Sequence, residues 1–69
     1  LAFWQQRLAK LYSTTLQDKE EFYFNTLVEL INEGLPTEQM FGTVEATAAC
    51  KAMEAQNTLM LGDDIVYKI

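Results

Sequence analysis

Three kinds of side chain in this sequence could do chemistry. They are two pairs of adjacent carboxylates (Glu20 with Glu21, Asp63 with Asp64), one thiol (Cys50), and the phenols and amines of the tyrosines and lysines. Paired carboxylates divide general-acid and general-base roles when burial holds one of them neutral. Both pairs here lie in polar stretches with nothing around them to build a desolvating pocket, so they read as solvated charge. The thiol falls on the apolar repeat Ala46, Ala49, Cys50, Met53, where a small buried hydrophobe is expected and no neighbouring base is available to lower its pKa. Histidine is absent, which removes Cys/His metal sites and the Ser-His and Cys-His nucleophile pairs; one cysteine cannot close an internal disulfide. The expectation is a non-enzymatic domain with no cofactor and no metal.

The elements that must position any binding surface follow from periodicity. Leu1, Trp4, Leu8, Leu11 and Tyr12 fall on one side of a helix over about residues 2–14, with Phe3 off that stripe and expected either to fold back on its own domain or to meet a partner. Ser13 to Thr15 interrupt the pattern, and the polar run from Gln17 to Glu21 is a loop or a frayed extension. Phe22, Tyr23 and Phe24 have high strand propensity and predict a short extended segment. Thr26 with Glu29 matches a capping box, so a second helix is expected from Thr26 to Glu33, ended by Gly34 and kept from resuming by Pro36. One helical turn fits Thr37 to Met40. A third helix over 43–56 carries the Ala46, Ala49, Cys50, Met53 stripe inward, and Asn57 stops it. Thr58 to Leu61 and Ile65 to Ile69 predict two strands around Gly62-Asp63-Asp64, with Ile65, Tyr67 and Ile69 on one face and Val66 and Lys68 on the other.

With 69 residues, 49% of them hydrophobic and 22% charged, the chain fits one small α+β domain, residues 1–69. Helix, short strand, helix, helix and two-stranded hairpin is the element order of a winged helix, with the wing clipped to about three residues. Because the chain opens on an amphipathic pattern without a methionine, a C-terminal fragment of a longer chain is expected. The longest apolar runs are far short of a membrane span.

Charge decides what such a fold could bind. Ten acids against five bases give a net charge of −5. The segment from Gln17 to Gln39 holds six acids and one base. A winged helix that reads DNA needs Arg, Lys, Asn or Gln on the free face of its third helix and cations on its wing. Here that face offers Val44, Ala48, Ala52 and Ala55 with Lys51 the sole base, and the wing carries Asp63 and Asp64. Little or no direct DNA binding is expected. These seven residues are the candidate partner-binding site, a low-relief apolar surface beside an acidic turn. A DNA-binding winged helix from a transcriptional regulator is the alternative.

The run from Val44 to Cys50, then Met53-Glu54-Ala55-Gln56-Asn57, then Leu59-Met60-Leu61-Gly62-Asp63-Asp64-Ile65-Val66-Tyr67-Lys68-Ile69 resembles the C-terminus of the third subunit of the eukaryotic minichromosome maintenance (MCM) helicase. The pattern covers about residues 24–69, and the first helix only in kind. The resemblance implies a nuclear winged-helix tail domain that docks on the origin recognition complex and its loader ATPase during replication licensing, or packs against other subunits of the helicase ring. It implies that the ATPase motifs lie upstream, and no Gly-x-x-x-x-Gly-Lys-Ser/Thr loop is found in this chain. Phe3 and the acidic stretch Asp18 to Glu21 are not among the positions that carry the resemblance, so any role for them rests on chemistry alone.

Overall fold

The computed structural model describes residues 1–69 as α1 (Ala2–Tyr12), β1 (Glu21–Tyr23), α2 (Phe24–Asn32), a 3-10 turn (Thr37–Gln39), α3 (Thr43–Ala55), β2 (Leu59–Leu61) and β3 (Ile65–Lys68). The strands form one antiparallel sheet in the order β1-β3-β2. Phe22 pairs with Val66, which pairs on its other side with Leu61. The short strand therefore joins the C-terminal hairpin, and β3 lies at the centre. Three helices with this sheet are an α+β winged helix, as the element order predicts.

Twelve buried residues make the core, all of them apolar. Trp4 and Leu8 come from α1, Leu27 and Ile31 from α2, and Ala46, Ala49, Cys50 and Met53 from α3. Phe22, Leu59 and Val66 close it from the sheet. Leu16, only 3% exposed, completes it from the turn after α1, a role that periodicity missed because the residue sits outside any helical repeat. Leu1, by contrast, is 59% exposed although it shares the α1 stripe. It precedes the first helical residue, so it lies past the end of the packed face.

Local chemistry sets the boundaries. α1 ends at Tyr12 rather than Thr14 because Ser13 and Thr14 donate their hydroxyls to the Lys10 carbonyl and turn the chain, as the Leu16 N–H reaches back to the Leu11 carbonyl. α2 begins at Phe24, two residues before the expected start, and no Thr26 cap forms. The Phe24 N–H instead donates to the Asp64 carbonyl at 2.8 Å, so sheet pairing satisfies the helix start before a side chain is needed. The reciprocal half of a capping box appears at α3, where the Gly42 N–H donates to Glu45 Oε1 at 2.8 Å. Gly34, at φ +81°, ends α2 in the left-handed region as expected, and Asn57, at φ +60°, does so after α3.

The connection from α2 to α3 is pinned by one side chain. Asn32 donates through Nδ2 to the Phe41 carbonyl at 3.0 Å and accepts the Phe41 N–H on Oδ1 at 2.8 Å. Phe41, so held, presents its ring edge-on to Trp4 at 5.0 Å and lies parallel to Phe3 at 6.2 Å. Phe3 thus folds back onto its own domain, with the Arg7 guanidinium 5.5 Å from its ring centre. Replacing Asn32 with Ala strands two backbone groups and should cost about 2 kcal/mol, a fall of roughly 10 °C in melting temperature by circular dichroism. A shift below about 3 °C would show that water replaces both bonds at no cost.

Candidate functional site

The seven candidate residues fall into two groups. On α3, Val44, Ala48, Lys51 and Ala55 recur at helical spacing along the side opposite the buried Ala46, Ala49, Cys50 and Met53. All four are exposed, Val44 to 82%. Ala52 is half-buried and forms the margin of the stripe rather than its centre. Asp63 and Asp64 are exposed in the β2–β3 turn. The Asp64 carbonyl is tied to the start of α2, and Asp64 borders a shallow cleft there with Tyr23, Phe24, Asn25 and Thr26. The turn is compact because Gly62 lacks a side chain: a Cβ there would stand 3.2 Å from Tyr67 Cε2 and 3.3 Å from the Ile65 carbonyl.

How α3 is held explains why its outward stripe is rigid. At its C-terminus Thr58 returns both its N–H and its hydroxyl to the Met53 carbonyl, at 3.0 and 3.1 Å. Glu54 Oε2 accepts the Leu61 N–H at 3.0 Å, tying the helix to β2. Gln5 on α1 donates to Gln56 just past α3 at 3.1 Å.

Two of the five bases are committed inside the fold, which sequence reasoning did not foresee. Arg7 donates to the carbonyls of Ile31 at 2.5 Å and Glu33 at 2.7 Å, placing its charge at the negative end of α2. Lys68 donates Nζ to the carbonyls of Leu16 at 2.7 Å and Gln17 at 3.2 Å, and stands 5.1 Å from the Tyr12 ring centre. The signal available in the sequence was alternation along β3, which turns Lys68 to the same side as Val66.

The groups that could do chemistry lie either buried in the core or out in solvent. Burial pushes the Cys50 thiol up from 9.0 to about 11, and the Glu54 carboxylate adds to the shift. Burial also raises the Tyr12 phenol, with the nearby Cys50 as the lesser cause, and its hydroxyl has no hydrogen-bond partner. Glu20, Glu21, Asp63 and Asp64 are all exposed. No three His, Cys, Asp or Glu side chains converge where a metal could be held, and no helix is long and apolar enough to cross a membrane.

A helix-turn-helix pair with a sheet-borne wing, an alanine-rich outward third helix and an acidic turn define a winged helix. The chain belongs to the MCM3-like winged helix domain family, whose model matches residues 1–69, the whole of it. It is therefore a domain of the kind carried by minichromosome maintenance helicase subunits. No solved structure matches the chain.

Proposed function

We propose that the domain is a protein-docking module of a replicative-helicase subunit, acting in the nucleus during origin licensing to bring the helicase to the origin recognition complex and its loader ATPase. The observation that carries this reading is the α3 face. A helix that enters a DNA groove needs donors for base edges, whereas this one offers Val44, Ala48 and Ala55 and a single base, Lys51. Small side chains let another protein approach the backbone closely, and the acidic turn would repel phosphate while suiting a basic partner. Arg7 and Lys68 are bound to carbonyls, which leaves Lys10, Lys19 and Lys51, on three different segments, as the bases without such a role. A DNA reader of the transcriptional-regulator kind is the poorer reading for the same reasons. ATP hydrolysis, on this reading, belongs to other parts of the subunit.

The test is retention of the tagged 69-residue chain on DNA carrying a preassembled origin recognition complex and loader, against the same DNA bare. Retention is expected only with the protein complex. Ala48→Glu and Asp63→Lys should each weaken it about tenfold, or 1.4 kcal/mol, while the melting temperature stays within about 2 °C because both positions are exposed. Equal retention on bare DNA would restore the nucleic-acid reading. Retention on neither, with binding instead to the other helicase subunits, would move the docking site into the ring.

A further inference from the structure

The α3 stripe is not the only open apolar surface. Phe22, Val66 and Leu61 form the inward row of the sheet, so strand alternation turns their neighbours outward. Across the outer face Glu21 lies beside Tyr67 and Tyr67 beside Met60, while Tyr23 lies beside Ile65. Met60 is 53% exposed, Tyr67 40% and Tyr23 65%, and Ile69, just past β3, is 67% exposed. These are four of the eight large hydrophobics that the whole chain exposes. An antiparallel sheet with one face in water ordinarily carries polar residues on that face. This one carries a patch of aromatic and aliphatic side chains instead.

The rim of the patch is acidic. Asp18, Glu20 and Glu21 line a cleft that opens beside Tyr67 and Ile69, and Asp64 shares the cleft at Tyr23 on the opposite side. Lys68 borders the first cleft, but its ammonium is held by the Leu16 and Gln17 carbonyls, which leaves Lys19 as the only other base there. The matching occupant therefore brings positive charge and apolar side chains together. Nucleic acid and anionic lipid meet the rim with like charge, as does a second copy of this chain, whose net charge is −5. Strand addition at the β2 edge is obstructed, because Glu54 already takes the Leu61 N–H.

We propose that the outer sheet face is a second docking site, separate from the α3 stripe, for a segment of a partner protein in which lysine or arginine alternates with leucine or aromatic residues. Its apolar side chains cover Met60 and Ile65. Its cations reach the acidic rim and the tyrosine ring faces. The proposal goes beyond the loader-docking reading and does not need it, since no loader complex enters the experiment.

The test is a heteronuclear NMR titration of the isotope-labelled chain with a short peptide of alternating lysine and leucine. Two controls replace leucine by serine or lysine by glutamate. Saturable shifts are expected at Glu21, Tyr23, Met60 and Tyr67, with affinity about tenfold above that of the lysine–serine peptide and none for the glutamate peptide. Met60→Lys and Tyr23→Lys, both outward positions, should weaken binding about tenfold, while Ala48→Glu leaves it unchanged. Shifts centred on α3, equal affinity for the lysine–serine peptide, or no saturable binding would overturn the proposal. Concentration-dependent shifts at the same residues without peptide would overturn it in favour of a second copy.

Discussion

Trp4→Ala is expected to leave the domain without a cooperative thermal transition. Trp4 is completely buried, and its ring meets the edge of Phe41, the residue that Asn32 locks into the connection between α2 and α3. Removing a buried indole costs about 3–5 kcal/mol through lost transfer energy and the cavity left behind. A chain of 69 residues has a total stability of roughly 3 to 10 kcal/mol, so one substitution removes much or all of it. The loss is not local, because α1 touches the helix-turn-helix connection through this ring. Trp4→Phe keeps an aromatic edge against Phe41 and should fold with a lowered melting temperature. Circular dichroism on both variants checks the prediction. A Trp4→Ala transition within about 5 °C of the parent would mean that the surrounding side chains collapse into the space.

The second large effect is alkaline. The folded domain holds the Cys50 proton to about pH 11, whereas the ordinary value is 9.0. Between those values the folded state binds more protons than the unfolded state, so stability falls as pH rises. Below about pH 9 both states keep the proton and this contribution is fully present. By pH 11 about 2 to 3 kcal/mol is lost, at about 1.4 kcal/mol for each unit of separation. Tyr12, raised in the same direction, adds to the loss above its ordinary value of 10.0. Urea midpoints measured from pH 8 to about 10 should drift downward in the parent. In Cys50→Ala the drift should largely vanish, although that variant starts less stable by about 1 kcal/mol for the lost sulfur. Tyr12→Phe should keep the drift. Parallel slopes in all three chains would assign it to general repulsion on a chain of net charge −5.

Several features of the α3 surface and of the helix ends are legible in the sequence. The α3 stripe was readable because a helix repeats every 3.6 residues: Ala46, Ala49, Cys50 and Met53 are all buried, so the residues between them must face out. Gly34 and Asn57 marked two helix ends because few other residues accept positive φ. The absence of histidine removes Cys/His metal sites and His-activated nucleophiles by composition alone.

What the sequence by itself determined, then, was the local grammar of this protein: three helices, three short strands, an inward stripe on α3 and an acidic turn. Each of these depends on residues within one or two turns of chain. The tertiary structure alone decided where long-range bonds fall. β1 pairs with β3 across more than forty residues, and that pairing, through the Asp64 carbonyl, starts α2 at Phe24 in place of a Thr26 cap. Arg7 and Lys68 look like surface charge in the sequence and become bonds to backbone carbonyls in the fold, because each long side chain reaches carbonyls far away in sequence, at the end of α2 and in the turn after α1, that need a donor. The aromatic outer face exists only once three strands lie side by side. Tyr23, Met60 and Tyr67 are scattered in sequence, and backbone pairing in one register makes them neighbours.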